Sequence, residues 1–201
     1  MQYYGARAPE FRIVNLLEDG ILAFFLAGDS AAAEARLRAM LAAARDIYRA
    51  ELALVTCSSV TPAVMERLRR DTEIPVLKID DVMAERALSL GRRLGIAVTF
   101  PPTEASSTRL LREASERSGV EVELVPRFIP GAYDALLGGN PERHDGLLLE
   151  GLDALAGQDL DAIVLAQVSM ARILERAEGR YRIPLLSSLP LSLEAVREAL
   201  A

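Results

Sequence analysis

The chain has 201 residues, of which 51% are hydrophobic, and it carries a formal net charge of −6 at pH 7. This length allows a sizeable core, either as one large domain or as two small lobes. The acidic balance argues against nucleic acid as the main partner, because phosphate binding requires a basic surface. No apolar run is long enough to span a bilayer, and the single cysteine cannot form an internal disulfide framework. We therefore expect a cytoplasmic protein without a membrane partner.

Strand and helix patterns alternate along the chain. Short apolar runs predict strands at 12–17, 52–55, 75–79, 95–99, 120–124, 161–165 and 184–186. Apolar residues at three- and four-residue spacing predict helices, the first after an N-cap within 28–30 and the others at 63–70, 82–93, 103–118, 132–137, 144–155, 170–175 and 193–200. The strand at 120–124 alternates polar and apolar residues, so we expect it near the edge of a sheet.

Apolar strands that are each followed by a helix predict an α/β fold with parallel sheets flanked by helices. In such sheets ligands bind at the carboxyl ends of the strands, which places the loops 57–59, 99–103 and 166–169 on one functional edge. A faint internal repeat relates residues 52–77 to residues 161–186. The repeat favours two similar lobes whose polar loops face each other across a cleft.

Cys57 follows the predicted strand 52–55 and precedes a helix start marked by Ser58, Ser59, Thr61 and Pro62. A thiol in this position feels the positive end of the helix dipole, which favours the thiolate. The alternative is a small buried hydrophobe without chemistry. Ser58 and Ser59 can likewise be helix caps, ligands of a substrate, or both.

We predict structural roles, rather than catalytic or metal-binding ones, for the remaining polar residues. His144, the only histidine, lies in the polar run 141–145, which predicts a solvated helix start. Asp80 and Asp81 end a strand, but no histidine or further acidic cluster accompanies them in sequence, so we predict no metal site. The chain has no glycine-rich phosphate loop, and nucleotide binding therefore has no support.

One family matches five segments in order and spacing, namely LVTCSSV, PVLKIDDVMAERAL, GRRLGIAVTFPPTEAS, DAIVLAQVSMA and IPLLSS. On these segments the chain resembles the aspartate/glutamate/hydantoin racemase superfamily from Asn15 onward. The resemblance implies two α/β lobes related by a pseudo-twofold axis, with the site between them and no cofactor. We assign the first lobe to 1–95 plus 188–201 and the second lobe to 96–187.

Members of this superfamily typically use two cysteines. One removes the proton alpha to a carboxylate or carbonyl, and the other delivers a proton to the opposite face. The resemblance makes Cys57 the first-lobe cysteine and the candidate catalytic residue. It assigns substrate binding to hydroxyl and amide side chains, at Ser58, Ser59, Thr99, Thr103, Gln167 and Ser169.

Two departures distinguish this chain from the superfamily. The position of the second-lobe cysteine falls on Gln167, or on Ala166 if the internal repeat alone is followed, and neither side chain carries a proton as a thiol does. Gln167 can instead donate hydrogen bonds to a developing enolate oxygen. The chain also begins late, since only residues 1–11 precede the match to 12–19. We expect either a truncated start or a first lobe that is built differently.

These features predict a cofactor-independent racemase- or epimerase-like isomerase that acts on the carbon alpha to a carboxylate or carbonyl, with Cys57 as acid/base. The expected partner is a small carboxylate substrate of the amino acid or hydantoin type, and a homodimer is expected because dimers are common in the superfamily. Two alternatives stay open: a single-cysteine, decarboxylase-like lyase, and a degenerate member that binds ligands without catalysis.

Overall fold

The computed structural model of the chain describes residues 2–201, so Met1, with which the predicted first lobe begins, lies outside the described residues. The strands are β1 (Ala53–Val55), β2 (Val76–Lys78), β3 (Arg93–Val98), β4 (Glu123–Phe128), β5 (Ala162–Leu165) and β6 (Leu185–Ser187). The α-helices are α1 (Gln2–Arg7), α2 (Ile21–Leu26), α3 (Ser30–Asp46), α4 (Pro62–Arg70), α5 (Asp81–Leu90), α6 (Pro101–Ser118), α7 (Ala132–Leu137), α8 (Pro141–Ala156), α9 (Leu174–Ala177) and α10 (Ser188–Ala199). A 3-10 helix, Val168–Ile173, precedes α9.

The chain divides into two compact units. Unit 1 comprises Met1–Ile79 with Ser192–Ala201, and unit 2 comprises Asp80–Leu191. The predicted lobes change over after residue 95 and after residue 187, and this assignment of the functional halves stays a prediction. Among the described helices, none has both the length and the apolar character needed to cross a membrane.

Unit 1 contains two short parallel strands, β1 and β2, which pair over their whole length. The helices α3 and α4 contribute to one apolar cluster, which includes Leu37, Leu41, Val64, Met65 and Leu68. The N-cap of α3 lies within the predicted run 28–30, at Asp29, whose carboxylate accepts the backbone N–H of Ala32 at 3.0 Å.

The predicted strand at 12–17 is wrong, because this segment runs as coil. Three of its apolar side chains, Ile13, Val14 and Leu17, are exposed. An apolar run predicts only which side chains avoid water, whereas a strand also requires a neighbouring backbone edge to pair with. Among the described strands, β1 pairs with β2 alone, and 12–17 joins neither.

Unit 2 contains a four-stranded parallel sheet in the order β4–β3–β5–β6. One face of the sheet packs with α5 and α6 in a cluster that includes Ile96, Val98, Val164 and Leu186. The other face packs with α8 and the 3-10 helix in a cluster that includes Ala97, Ile163 and Leu165. These observations confirm the predicted α/β fold with parallel sheets flanked by helices.

The strand β4 begins later than predicted, at Glu123 rather than at residue 120. The helix α6 ends where Gly119 adopts the left-handed conformation, at a φ of 67°. The N–H of Val120 then bonds the carbonyl of Ser115 at 3.1 Å. Val120, the first residue of the predicted strand, therefore caps the end of α6 instead of pairing in the sheet. The strand lies at the edge of the sheet, as its alternating pattern predicted.

Asp161 holds the amino end of β3. Its carboxylate accepts the backbone N–H groups of Arg93 at 2.8 Å and Arg92 at 2.7 Å. These hydrogen bonds, that from Arg93 first, hold the pKa of Asp161 below its ordinary value. A Cβ atom at Gly91 would overlap the Asp161 side chain. The turn between α5 and β3 therefore requires glycine at this position.

The packing of α8 can be tested with two of its glycines. A methyl group at Gly151 would overlap the side chain of buried Ile129, whereas a methyl group at Gly146 meets nothing within 4 Å. We expect Gly151→Ala to lower the free energy of unfolding by about 2 kcal/mol, as overpacked core positions do. Gly146→Ala, the matched control, should raise it by roughly 0.5–1 kcal/mol because alanine favours the helix. Urea unfolding followed by circular dichroism measures both, and equal effects would contradict this packing.

Candidate active site

Cys57 lies just beyond the carboxyl end of β1. Its side chain is partly buried against the apolar cluster of unit 1. The N–H of Val60 donates to the carbonyl of Cys57 at 3.3 Å and closes a turn. The corner residues of this turn are Ser58, which is exposed, and Ser59, which is half-buried. The thiol and both hydroxyls therefore lie on one tight turn at the end of a strand.

The helix α4 begins after this turn rather than within it. Its N-cap is Thr61, whose hydroxyl accepts the N–H of Val64 at 3.4 Å, and Pro62 is the first helical residue. Thr61 thus performs the capping role that Ser58 and Ser59 could also have had. The two serine hydroxyls are not required for the helix start.

Thr99 and Gln167 are in direct contact at the carboxyl edge of unit 2. Thr99 directly follows β3 and is only 2% exposed. Its backbone N–H and its hydroxyl both donate to Oε1 of Gln167, at 2.8 Å and 2.7 Å. Because two donors converge on one amide atom, that atom is the oxygen. Both hydrogen bonds use Oε1, which leaves the Nε2 amide group of Gln167 as a donor for a ligand.

Thr103 makes its hydrogen bonds within the first turn of its own helix, α6. The helix α6 begins at Pro101, two residues before the predicted start, with Phe100 as N-cap. The hydroxyl and the N–H of Thr103 both donate to the carbonyl of Phe100, at 2.6 Å and 3.0 Å. Ser169 is half-buried within the 3-10 helix that follows Gln167. The structure therefore brings Thr99 and Gln167 into contact, whereas Thr103 is bonded within its own turn.

Ser187 is a candidate that the sequence interpretation missed. It ends β6 in register with Leu165, and its hydroxyl is buried without a hydrogen-bond partner among the described residues. Paired residues share a face of a sheet, and so do residues two apart in an extended chain. Ser187 therefore lies on the same face as Leu165 and Gln167. Ser187 could have been predicted from the segment IPLLSS, which places a serine at the end of a predicted strand.

The predicted solvated helix start at 141–145 is wrong, because His144 is fully buried and Asp145 is 2% exposed. The helix α8 begins after Asn140, whose side chain accepts the N–H of Arg143 at 3.1 Å. His144 then falls in the buried stripe of the helix, which continues through Leu148, Leu152 and Leu155. This three- and four-residue spacing is visible in the sequence and would have predicted the burial.

Asp145 is the buried centre of a charge cluster whose two arginine side chains are partly exposed. Its carboxylate accepts a hydrogen bond from Nδ1 of His144 at 2.8 Å and contacts the guanidinium groups of Arg172 and Arg176, each at 2.9 Å. Burial raises the pKa of Asp145, but the hydrogen bonds from His144 and Arg176 and the charge of Arg172 outweigh it and hold the pKa below its ordinary value. The cluster ties α8 to the segment that follows Gln167. Nε2 of His144 has no hydrogen-bond partner in the part of the chain that the structure describes.

The predicted site residues fall in two groups on different units. Cys57, Ser58 and Ser59 belong to unit 1, and the other four belong to unit 2. Within the described residues, no group of three or more His, Cys, Asp or Glu side chains could hold a metal ion. The chemistry that these groups can offer is that of one thiol, several hydroxyls and one oriented amide.

A family model described as Asp/Glu/Hydantoin racemase matches residues 6–196, which is nearly the whole chain. The chain belongs to this racemase family. The match confirms the resemblance that was drawn from the five sequence segments. Members of the family and its structural neighbours are racemases and isomerases.

Solved structures with 20% sequence identity or less share the fold of this family member. An allantoin racemase from Klebsiella pneumoniae is 20% identical, with a TM-score of 0.65 over 86% of this chain and 68% of that chain. A glutamate racemase isoform from Bacillus anthracis is 13% identical, with a TM-score of 0.56 over 83% and 65%. A maleate cis-trans isomerase mutant from Nocardia farcinica, with a covalently bound succinylcysteine intermediate, is 20% identical, with a TM-score of 0.58 over 85% and 73%. The chain spans about two thirds of the length of the first two structures.

The charge cluster in this family member predicts an acid-sensitive fold. A carboxyl group whose pKa is lower in the folded than in the unfolded chain stabilises the fold above the unfolded pKa, which is about 3.9 for aspartate. This contribution is lost as the pH falls through the lower, folded pKa. We expect Asp145→Asn to lower the free energy of unfolding at pH 7 by roughly 1–3 kcal/mol, because the bonds to His144 and two arginines are weakened.

Urea unfolding of both proteins between pH 2 and pH 7 measures this effect. The wild type should lose stability below about pH 4 more steeply than Asp145→Asn. Asp134→Asn, at an exposed aspartate on α7, is the matched control and should follow the wild type. Parallel curves for the wild type and Asp145→Asn would show that the buried carboxylate does not contribute to acid stability.

Proposed function

We propose that this family member is a cofactor-independent isomerase that acts on small molecules bearing a carboxylate or carbonyl beside the reacting carbon, with Cys57 as its reactive thiol. The substrate class includes amino acid and hydantoin types. A cytoplasmic location and a homodimer belong to the same proposal. The family supports the reaction class, and the residues of the two strand-end groups support the roles that follow.

The contact between Thr99 and Gln167 is the observation that carries the proposal. An enolate formed at the reacting carbon needs hydrogen-bond donors that are already oriented toward its oxygen, and one such donor contributes roughly 3 kcal/mol in favourable cases. Thr99 binds the amide oxygen of Gln167 and so presents the amide nitrogen as a donor. In this role Gln167 stabilises the enolate, while Ser58 and Ser59 bind the substrate carboxylate next to Cys57.

Proton transfer by Cys57 alone is confined to one face of the substrate. The thiolate takes the alpha proton, and the electron pair of the broken C–H bond becomes the enolate. Return of the proton from sulfur restores the C–H bond on the same face. In deuterated water this exchanges hydrogen for deuterium with retention of configuration. Racemisation or epimerisation requires a second proton donor on the opposite face.

A second candidate reaction needs only one thiol. The thiolate of Cys57 adds to one carbon of a cis C=C bond conjugated to a carboxylate, and the electron pair of the double bond becomes an enolate. After rotation about the new single bond, the enolate re-forms the double bond in the trans geometry and expels the thiolate. The succinylcysteine intermediate in the Nocardia farcinica isomerase mutant is the observation that favours this reaction.

Proton NMR in deuterated water distinguishes these reactions. Amino acids, hydantoins, substituted malonates and maleate are incubated with the wild type, Cys57→Ala and Cys57→Ser. We expect the wild type to remove an alpha-proton signal or to convert the cis to the trans isomer, and both variants to be slower by about 10²–10⁴-fold. Circular dichroism of the variants verifies that they remain folded.

The other outcomes of this experiment decide against the proposal. Loss of carbon dioxide from a malonate, dependent on Cys57, would identify a lyase. Binding of a carboxylate without turnover of any compound would identify a non-catalytic member. Equal rates for the wild type and both variants would remove Cys57 from the mechanism.

Gln167→Cys should change the stereochemical outcome. If Gln167 occupies the position of the second thiol, a cysteine there supplies the missing proton donor on the opposite face. We expect the variant to invert the configuration of a substrate that the wild type only exchanges, as measured by circular dichroism of the substrate. Gln167→Ala is the control, because it removes the amide without adding a thiol and should slow exchange without inversion. Exchange without inversion by Gln167→Cys would place Gln167 elsewhere.

A further inference from the structure

The exposed apolar side chains of unit 2 are concentrated at one edge of its sheet. Unit 2 has four large apolar side chains with more than a third of their surface exposed: Phe100, Phe128, Leu137 and Val168. Phe100 and Val168 lie just beyond β3 and β5, Phe128 ends β4, and Leu137 ends the short helix after β4. Scattered exposed apolar residues are ordinary, whereas Phe128, Phe100 and Val168 lie at the ends of three neighbouring strands, an arrangement suited to binding an apolar group.

The loops at the same edge carry no charge. The residues that follow the strands, 99–103, 129–131, 166–169 and 188–191, contain no Asp, Glu, Lys, Arg or His. The nearest charges in sequence are Arg127, which precedes Phe128, and Glu104. A second carboxylate on a substrate would therefore meet no cation among the residues of these loops. Removing a charged group from water without a partner is costly.

An aromatic pair adjoins the polar pair of the proposed site. The rings of Phe100 and Tyr133 stack with their centroids 4.7 Å apart and their planes inclined by 30°. Phe100 is bonded directly to Thr99, whose hydroxyl and N–H hold Gln167. The polar pair and the aromatic pair are therefore linked through one peptide bond at the carboxyl edge of unit 2. Stacked or edge-to-face contact with such an aromatic pair favours a flat or bulky apolar group.

We propose that unit 2 selects substrates whose reacting carbon carries an uncharged apolar substituent, aryl or branched alkyl, held against Phe100 and Tyr133. This inference rests on the proposed function, because it assigns the substituent of that same substrate. It excludes compounds such as glutamate and aspartate, whose substituent ends in a second carboxylate, from the preferred class. Thr99 and Gln167 hold the polar group, and the uncharged edge holds the substituent.

Binding of matched ligands tests the proposal by isothermal titration. There are two series of ligands, and within each series the headgroup is constant and only the substituent differs. The first series is 5-methyl-, 5-phenyl- and 5-carboxyethylhydantoin, and the second is the corresponding amino acids. With the wild type we expect the phenyl compound to bind at least tenfold more tightly than the carboxyethyl compound. Phe100→Ala should reduce this preference to threefold or less. Phe100→Leu keeps an apolar side chain and should retain part of the preference.

The test has a control variant, and it does not depend on the folding of Phe100→Ala. Ile47→Ala removes an exposed apolar side chain of unit 1 and should leave the preference intact. If Phe100→Ala does not fold, the order of ligand affinities for the wild type still tests the proposal. Equal or tighter binding of the carboxyethyl compound overturns this inference alone, provided the methyl compound binds. If no ligand binds, the proposed function and this inference both fail.

A second copy of the chain is the competing occupant of this surface. Sedimentation of the wild type and Phe100→Ala measures this alternative. A dimer that Phe100→Ala dissociates, with the ligand preference unchanged, would show that the surface is an interface between copies and would overturn the proposal.

Discussion

Parallel pairing of β3 with β4 on one side and β5 on the other is the constraint on which unit 2 depends. Strands that point the same way must be joined by connections that cross back over the sheet, and each strand then delivers its next loop to the same edge. The apolar strands and the helices that cover them supply the stability of the unit. Residues of the carboxyl-edge loops that do not belong to that core, such as Gln167, can therefore carry chemistry.

The hydrogen bonds between Thr99 and Gln167 show what this constraint permits. The two residues are separated by 68 positions in the chain, yet both follow neighbouring strands and meet at the edge. An amide at this point differs from a thiol in more than proton transfer, because sulfur is a weak acceptor whereas the amide oxygen of Gln167 accepts two hydrogen bonds. The amide therefore organises Thr99 as well as itself. At this edge the two donors of Thr99, its N–H and its hydroxyl, are already bonded to Gln167.

Most of the fold could be predicted from the sequence because it is encoded locally. Apolar runs identified β1, β2, β3, β5 and β6, and caps such as Asp29 identified helix starts. The error at 12–17 arose where a distant partner decides, because this segment has the composition of a strand but pairs with neither β1 nor β2. The start of β4 was displaced by a local effect, the end of the preceding helix.

The site was predictable in part for the same reason. The rule that ligands bind at strand ends selected Cys57, Thr99 and the loop with Gln167, and the family resemblance gave Cys57 its proposed acid/base role. Their contact could not be predicted, since hydrogen bonds across the sheet depend on register. Ser187 was within reach of the same rule. His144 was misread because a polar run can lie on the buried stripe of a helix when a neighbouring carboxylate satisfies it.

The turn at Gly91 has a consequence for how this family member can diverge. The Asp161 carboxylate occupies the space that any side chain at position 91 would need, and it binds the backbone of the next two residues. A substitution at position 91 alone displaces the carboxylate, and a substitution at position 161 alone leaves two amide groups to water. The two positions, 70 residues apart in the chain, are therefore expected to be inherited as a pair. Relatives that have lost one of the two should have lost the other as well.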